Sequence, residues 1–469
     1  MGLLHDKGFI HRQVKSLHDH LEQFERDGHV EGSEHRFTPD EVVQIRRALR
    51  SGLTNDADHP ENQYYYARDP LISLLQSAMH KDLVARFGRD AVEHDRIAEG
   101  DAFTTSDLLG WGVRVGLSLI WRLLHGSHPF VDAPATLRLD GDVRLVLFAD
   151  WGTGRPEARQ VAEKAATFVH DSHLPVHVIH LGDTYYSGTP EEAQAHLLEP
   201  WPVTATQAAQ GVGSWALNGN HDMYSGGHGL FETTLGDPRF AKQAAGGVAT
   251  SWFHLQSDTW DIVGLDTAYR NPLLDIRHGD FLLFGRIGYL HGSQGQFVKE
   301  HCAQDGRRLL LLSHHQLFSA YDEDATRDSA LRPALRDTLA RGVDAWFWGH
   351  EHDCLAYDPL EGVNAARVIG HGAVPTLLRT EPPCEPEPTA PDYLGKPIPN
   401  ATYPATPALN AVRWEYRGEV DGDDGVLWGK HGFAVVDVVG QTLKVAYVDD
   451  QGHTYKQETL EAAPQGAAS

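Results

Sequence analysis

Cysteine is scarce in this chain, and basic residues are too few to balance the acidic ones. The 469 residues include three widely spaced cysteines, Cys302, Cys354 and Cys384. This odd, scattered set suggests neither a disulfide framework nor a zinc ribbon and is typical of a reducing compartment. Lysine and arginine total 40 against 65 aspartates and glutamates, which gives a net charge of −25. That charge repels polyanions, so we expect no nucleic acid polymer as a partner, whereas a small phosphorylated substrate is compatible with it.

A long uninterrupted hydrophobic run is also missing. The N-terminal MGLLHDKGFIHRQ carries charges where a signal peptide needs an apolar segment, so we expect no leader and a cytoplasmic location. Residues 108–124 are the best candidate for a membrane span, but Arg114 and Arg122 interrupt them. Their apolar residues follow one helical stripe, which favours a core helix over a helix lying on a membrane surface. We therefore expect no membrane span.

Two regions of different character divide the chain. Residues 1–138 show helical patterns such as LISLLQSAMHKDLVARFG and predict an accessory helical region, which could cover a site, self-associate or simply pack. Residues 139–469 alternate β-rich runs with helical stretches around 155–170, 190–198 and 328–341, which is typical of an α/β fold. The run VRLVLFAD is the first of ten predicted strands, and the last two predict an antiparallel hairpin. Residues 381–409 are too proline-rich for regular structure and predict a surface loop, a candidate lid.

Several predicted strands end in residue types that bind metals. In chain order these are Asp150 in FADWG, Asp183 in HLGDTYY, Asn220, His221 and Asp222 in LNGNHDMY, His314 and His315 in LLSHHQ, and His350 and His352 in FWGHEHD. Strand ends in α/β folds gather at one edge, where ligands bind. A carboxylate such as Asp183 can bridge two cations, and imidazoles favour zinc, iron or manganese over magnesium or calcium.

Each of these motifs has a purely structural alternative. Asp150 taken alone resembles a helix cap, a GD pair often follows a strand, and HEH could decorate the surface of a chain with 29 histidines. GNHD is more specific, because three consecutive polar residues directly after a strand have few structural uses. The ordered set, rather than any member, indicates a site for two metal ions.

The series D-x-G, GD-x-x-Y, GNHD, H and GH-x-H resembles the calcineurin-like metallophosphoesterase superfamily over residues 143–450. The resemblance implies a double β-sheet sandwich flanked by helices. Most members begin with D-x-H, but position 152 here is Gly. The purple acid phosphatase branch shares this glycine and supplies a tyrosine three residues after the bridging aspartate, which here is Tyr186. Tyr185 is the alternative ligand.

The resemblance also implies the metal ligands and catalytic residues. The first metal would be bound by Asp150, Asp183, Tyr186 and His352, and the second by Asp183, Asn220, His314 and His350. His314 matches the family position better than His315, although the proline of the motif is replaced by Gln316. His221 would assist the leaving group, and Asp222 would orient His221.

Tyrosinate as a ligand bears on the identity of the metals. A trivalent cation makes a phenol easier to deprotonate than a divalent one does. We therefore expect iron(III) in the first site with zinc, iron(II) or manganese(II) in the second. The expected reaction is hydrolysis of a phosphate ester by a metal-bridging hydroxide.

Substrate preference is left open by the motifs. Asn220 and His221 of the GNHD motif could contact a substrate, and so could His228, His315 and His371, which lie in or beside loops. The substrate could be a phosphomonoester or a phosphodiester. Two other classes compete with the esterase: a non-catalytic phosphate- or metal-sensing module, and an oxygen-activating di-iron protein. The complete ligand set argues against the first, and the lack of paired Glu-x-x-His motifs argues against the second. The sequence leaves the oligomeric state open.

Overall fold

The structure is a computed structural model that describes residues 70–93, 126–269, 288–320, 329–374, 407–416, 419–421 and 427–461, with the single residues 10, 15 and 43. The predicted helix at 108–124 lies outside these residues. So does most of the proline-rich segment, although its last three residues, 407–409, belong to a short helix. No helix within the described ranges is both long enough and apolar enough to cross a bilayer.

Two mixed β-sheets form the body of the molecule. The smaller has six strands in the order β18-β17-β16-β2-β3-β4. Its strands are β2 (Val143–Phe148), β3 (Val176–His180), β4 (Gly213–Ala216), β16 (Gly432–Val439), β17 (Thr442–Asp449) and β18 (Thr454–Leu460). Strands β2, β3 and β4 are parallel, and β16 to β18 form an antiparallel edge.

The larger sheet has eight strands in the order β1-β7-β8-β9-β10-β12-β11-β13. Its strands are β1 (Ala135–Arg138), β7 (Phe253–Gln256), β8 (Trp260–Leu265), β9 (Arg308–Ser313), β10 (Ala345–Trp348), β11 (Cys354–Tyr357), β12 (Ala366–Ile369) and β13 (Val412–Glu415). Strands β8, β9, β10 and β12 run parallel. Two small ribbons pair β5 (Ala244–Ala245) with β6 (Val248–Ala249) and β14 (Glu419–Asp421) with β15 (Leu427–Gly429).

Helices cover the outer faces of both sheets. The α-helices are α1 (Pro70–Phe87), α2 (Arg89–Glu93), α3 (Pro156–His170), α4 (Pro190–Glu192), α5 (Ala205–Ala209), α6 (Asn220–Tyr224), α7 (Gln294–His301), α8 (Leu331–Ala334), α9 (Arg336–Arg341) and α10 (Pro407–Asn410). Helix α4 continues as a π-helical turn, Ala193–Leu198. A second π-helical turn covers Gly229–Thr234, and a 3₁₀ turn covers Pro238–Phe240.

A buried apolar core holds the two sheets face to face. Leu147 of β2 and Ile179 of β3 belong to the same cluster as Leu312 of β9 and Phe347 of β10. The opposite face of β2 packs against α3, so this strand is buried on both sides. A strand covered on both faces is mostly apolar, which explains the run VRLVLF. Its one charged residue, Arg144, is half-buried and pairs with Asp437. The result is the layered sandwich that the sequence predicted.

The ten predicted strands are all present, and the predicted hairpin is β16 and β17. The predicted helices at 155–170, 190–198 and 328–341 correspond to α3, to α4 with its π-turn, and to α8 with α9. Eight strands were missed: β1, β11, β13 and β18 of the two main sheets, and β5, β6, β14 and β15 of the small ribbons. The first three are four residues long, and β18 is a half-exposed edge strand whose polar residues hide its pattern.

Helix α1 packs directly against α6. Its residues are buried around most of its circumference, including the polar Ser73 and Gln76. Residues 72–79 are buried, whereas Lys81, Ala85 and Arg86 in the second half of the helix are exposed, so the first half belongs to the core of the molecule. Its Ser77 Oγ lies 2.5 Å from Ser187 Oγ, in the loop that follows β3. The helical segment predicted near 71–88 is therefore joined to the sandwich beside the GNHD motif.

A buried ion pair connects the two sheets across their interface. Arg367 on β12 donates to both carboxylate oxygens of Glu458 on β18, over 2.6 and 2.8 Å. Tyr447 on β17 donates to the same carboxylate over 2.7 Å. Arg367 is 1% exposed. The pair thus joins strands that belong to different sheets.

We expect Glu458→Ala to lower the free energy of unfolding by about 3–5 kcal/mol, because it leaves the buried Arg367 guanidinium without its counter-charge. Equilibrium urea unfolding measures the change. Asp258→Ala is the matched control, since its partner Arg138 is half exposed and such surface pairs contribute little. Equal effects of the two substitutions would contradict a structural role for the buried pair.

Candidate metal centre

The polar residues predicted to form a site lie at one edge of the sandwich. Asp150, Asp183 and Asn220 follow the carboxyl ends of β2, β3 and β4, which are adjacent parallel strands. His314 and His350 follow β9 and β10, adjacent parallel strands of the other sheet. Carboxyl ends of parallel strands point to the same edge, so packing the sheets face to face brings both groups together.

Four side-chain donor atoms form a first ligand set. The Tyr185 hydroxyl lies 3.1 Å from Asp150 Oδ1 and 3.2 Å from Asp183 Oδ2. It also lies 3.0 Å from His352 Nε2. The ring nitrogen of His352 is 3.5 Å from Asp150 Oδ1. Two carboxylates, one phenol and one imidazole therefore converge on one point.

A second set of four donor atoms shares one member with the first. His314 Nε2 lies 3.0 Å from Asn220 Oδ1 and 3.4 Å from Asp183 Oδ2. His350 Nδ1 lies 3.3 Å from the same His314 nitrogen. Asp183 Oδ2 thus belongs to both sets, as expected of a bridging carboxylate.

Unusual backbone conformations aim these side chains at one another. Asp150, Asp183, His350 and His352 have φ values of 53°, 74°, 68° and 50°. They are four of the seven non-glycine residues with positive φ in the described part of the chain. Positive φ is unfavourable for residues with a Cβ atom and concentrates at functional sites. Its occurrence at four predicted ligands supports a functional interpretation of the cluster.

Backbone groups fix the orientation of the ligands. The His350 N–H donates to Asp150 Oδ2 over 2.7 Å, and the His221 N–H donates to Asp183 Oδ1 over 2.9 Å. Leu181 O lies 3.1 Å from His314 Nδ1. A carbonyl can only accept, so Nδ1 carries a proton, and Nε2 is the nitrogen that faces the second set.

A glycine permits the closest of these approaches. A Cβ atom at Gly219 would overlap the Asp183 carboxylate and its backbone nitrogen. The glycine of the GNHD motif is therefore required because α6 begins directly against the shared carboxylate.

The first set contains Tyr185 rather than the predicted Tyr186. The Tyr186 ring packs against His80 of α1, with 5.9 Å between ring centroids. The two adjacent side chains lie in the irregular loop after β3, where no repeat fixes which of them faces the strand ends. The geometry thus favours the alternative, Tyr185, as the phenol ligand.

His221 lies beside the shared carboxylate, but Asp222 does not orient its ring as predicted. The His221 Nδ1 lies 2.5 Å from the carbonyl oxygen of Tyr186, and its Nε2 lies 3.9 Å from Asp183 Oδ2. Asp222 Oδ2 instead accepts the N–H groups of Asp183 and Gly219 over 3.1 and 2.9 Å. Asp222 therefore stabilises the backbone of the site.

The three histidines predicted to contact a substrate from loops, His228, His315 and His371, occupy different places. His315 lies beside the second set, with its ring centroid 4.6 Å from that of His350 and its Nδ1 3.1 Å from Thr267 Oγ1. His228 pairs with Glu232 over 2.7 Å at the surface. His371 is buried, and its Nε2 lies 3.1 Å from the Tyr455 hydroxyl. In the described structure only His315 is thus placed beside the ligand sets.

Burial and charge shift the pKa values of this cluster. Burial opposes ionisation of Asp183, but the charges of His314 and His221 outweigh it and hold the pKa of Asp183 well below its usual range. Burial likewise opposes a charge on His314, yet Asp183 and Asp150 raise its pKa to about 9. Burial and the same two carboxylates raise the pKa of Tyr185 well above its ordinary value.

The donor set fits metal ions. Asp150 and Asp183 are 0% and 1% exposed. Ligand atoms of Asp150, Asp183 and His314 lie within 4.8 Å of one another, and so do those of His314, His315 and His350. Buried carboxylates this close together are costly unless cations compensate them. Carboxylate, amide, phenol and imidazole ligands together suit borderline metals such as iron, zinc and manganese.

Two residues that support the site were missed in the sequence. Glu192 accepts hydrogen bonds from three backbone N–H groups of the loop that carries Tyr185. His196 Nδ1 lies 2.7 Å from the carbonyl oxygen of Tyr185. The available signal was the sequence TPEE, in which Thr189, Pro190 and Glu192 form a capping box. That pattern predicts a helix start and contains no hint of the additional contacts.

Solved structures similar to this chain include GAP50, the anchor in the inner membrane complex of Plasmodium, at 11% identity and a TM-score of 0.40, covering 70% of this chain and 91% of that one. PhoD matches at 11% identity and a TM-score of 0.39, covering 71% and 74%. A 5'-nucleotidase precursor from Thermus thermophilus matches at 15% identity and a TM-score of 0.27, covering 69% and 54%. No curated protein matches the chain.

A family model provides the assignment. Residues 143–354 match the model described as calcineurin-like phosphoesterase. The matched segment contains both donor sets, including the GNHD motif that supplies Asn220. Residues 143–354 are therefore similar to a calcineurin-like phosphoesterase domain, and this match supports a hydrolase that acts on phosphoester bonds.

Proposed function

We propose that this protein hydrolyses small phosphate esters at a site for two metal ions. The observation that carries the proposal is the pair of four-atom donor sets that share Asp183 Oδ2. A shared carboxylate oxygen is the arrangement expected where two cations lie about 3.5–4 Å apart.

Seven residues would hold the two ions. The first ion would take Asp150, Asp183, Tyr185 and His352, and the second would take Asp183, Asn220, His314 and His350. This assignment follows the predicted one except that Tyr185 replaces Tyr186. The replacement rests on the three contacts of 3.0–3.2 Å that the Tyr185 hydroxyl makes within the first set.

The environment of Tyr185 argues for a highly charged first ion. Burial and two carboxylates oppose its ionisation, so a phenolate requires strong compensation from a cation. A trivalent ion compensates the negative charge of the phenolate more strongly than a divalent ion does. We therefore infer iron(III) in the first site, with zinc, iron(II) or manganese(II) in the second.

The chain positions His221 to act on the substrate. Its Nδ1 donates to Tyr186 O, which leaves Nε2 turned toward Asp183 Oδ2 and the space beside both donor sets. When bound, the metals would lower the pKa of a water molecule and offset charge on the phosphoryl oxygens. His221 Nε2 would hold a phosphoryl oxygen or transfer a proton to the leaving oxygen.

The net charge of the protein and the residues of the site both favour a small phosphorylated substrate. A net charge of −25 disfavours polyanionic partners, whereas the donor sets suit one phosphoryl group. His315 beside the second set is the described residue best placed to contact the remainder of the substrate. Phosphomonoesters and phosphodiesters differ in the number of organic groups attached to the phosphoryl group. Hydrolysis rates for one substrate of each kind therefore distinguish the two activities.

Metal analysis, a visible spectrum and two substrates test the proposal together. We expect two metal equivalents per chain and hydrolysis of p-nitrophenyl phosphate, or of its bis ester if the protein is a phosphodiesterase. His350→Ala should lose metal and activity. His221→Ala should keep both metals while kcat falls by about 10²–10⁴-fold. A metal-loaded wild type that hydrolyses neither ester would favour a sensing module.

The two adjacent tyrosines provide a matched pair of variants. We expect iron-loaded wild type to show a visible tyrosinate-to-iron(III) charge-transfer band, which Tyr185→Phe abolishes because the phenol oxygen is removed. Tyr186→Phe should keep the band, because its ring packs against His80 instead. Loss of the band in Tyr186→Phe alone would overturn the assignment to Tyr185.

Metal uptake should depend on pH through His314. In the metal-free protein, Asp183 and Asp150 raise the pKa of His314 to about 9, so its imidazole is protonated at pH 7. A cation in the second set must displace that proton. Deprotonation of His314 should therefore raise the metal affinity by about tenfold per pH unit up to pH 9. Titration calorimetry in buffers of different ionisation enthalpy measures the released proton. Uptake without proton release between pH 6 and 8 would contradict the prediction.

A further inference from the structure

One buried carboxylate gathers the backbone of the loop that carries the two tyrosines. Glu192 Oε1 accepts the Tyr186 N–H over 2.8 Å. Its Oε2 accepts the N–H groups of Ser187 and Thr189, each over 3.1 Å. Glu192 is 4% exposed. Three charge-assisted hydrogen bonds to one carboxylate make this loop unusually well fixed.

Helix capping explains only part of this arrangement. Thr189 is the N-cap of α4, and Glu192 is the third residue of the helix, so its bond to the Thr189 N–H completes a capping box. The Tyr186 and Ser187 N–H groups lie outside the helix. A capping box does not require them, and these two bonds therefore serve the loop.

The hydrogen bond from the Ser187 N–H connects Glu192 to His221 through one peptide group. The Ser187 N–H and the Tyr186 carbonyl belong to one planar peptide group. The N–H side donates to Glu192 Oε2, and the carbonyl side accepts from His221 Nδ1 over 2.5 Å. A peptide whose N–H donates to a carboxylate becomes a stronger acceptor at its oxygen, because hydrogen bonds in series polarise one another.

We propose that Glu192 is a positioning residue for His221, acting through the Tyr186–Ser187 peptide group. The carboxylate fixes and polarises the peptide, and the peptide oxygen fixes the proton on His221 Nδ1 so that Nε2 faces the substrate. This inference rests on the proposed function of His221, although the contact itself exists in the metal-free protein.

Neighbouring elements keep this connection out of solvent. The preceding peptide is held in the same way, since its N–H donates to Glu192 Oε1 and the Tyr185 carbonyl accepts from His196 Nδ1 over 2.7 Å. Helix α1 lies over the loop, with His80 5.4 Å from the His196 ring. Burial strengthens a charge-assisted bond by lowering the local dielectric constant.

Glu192→Gln tests the proposal because it keeps the shape of the side chain but removes its charge and one acceptor oxygen. We expect kcat to fall by about 10–100-fold, as for other residues that orient a catalytic group, with little change in KM and full metal content. The loss should be greater for an alkyl phosphate than for p-nitrophenyl phosphate, because the poorer leaving group needs the proton more.

Glu191→Gln is the matched control. It makes the same chemical change one residue earlier, at an exposed position paired with Lys81. Activity and metal content should remain at the wild-type level. Equal kinetics for the Glu191→Gln and Glu192→Gln variants would overturn the proposal.

A double substitution separates positioning from a general loss of stability. If Glu192 acts through His221, adding Glu192→Gln to His221→Ala should cause no further loss of kcat. A further loss of the same size as the single effect would contradict the proposed route. If the Glu192→Gln variant fails to fold, Glu192→Asp replaces it. The shorter side chain keeps the charge but moves it away from the Ser187 N–H, so kcat should again fall in the wild-type background and not in the His221→Ala background.

A spectroscopic measurement on metal-free protein is independent of activity. With ¹⁵N-labelled histidine, the His221 Nδ1 proton should give a downfield signal that is absent from His221→Ala. It should move upfield in Glu192→Gln and stay in place in Glu191→Gln. An unmoved signal in Glu192→Gln would refute the polarised contact. A moved signal in a protein whose wild type hydrolyses no ester would refute the proposed function and leave the contact standing.

Discussion

The rest of the site depends on the contacts of the Asp183 carboxylate, which lies where the edges of the two sheets meet. Its Oδ1 accepts the His221 backbone N–H, which ties the end of β3 to the start of α6. Its Oδ2 faces both donor sets. One oxygen thus fixes the carboxylate, and the other is shared by the two donor sets. This division exists only because the core between the sheets aligns β3 with β9 and β10.

Such a cluster is energetically expensive, and the fold offsets the cost. Buried carboxylates and four residues with positive φ are unfavourable locally. The sheets above and below are apolar on both faces, and backbone N–H groups satisfy the carboxylate oxygens that face away from the donor sets. Stability supplied by the core allows the edge to remain strained and polar.

Much of this arrangement could be predicted from local patterns. Apolar runs such as VRLVLF must be buried strands, and polar residues after them must meet at the carboxyl edge of a parallel sheet. The family resemblance added the division into two ligand sets. Helix α1 was predicted as a helix, but its place against α6 was open, because its apolar residues form no single stripe that would indicate its partner.

The sequence by itself determined the residue types of the site, their order and the strands that present them, because these depend on short repeats of hydrophobicity. Only the tertiary structure decided that Tyr185 rather than Tyr186 joins the first set, that a peptide carbonyl rather than Asp222 orients His221, and that Glu192 holds that peptide. The reason is physical. Loop side chains follow no fixed period, and a buried carboxylate selects its partners by distance in space, which separation along the chain does not reveal.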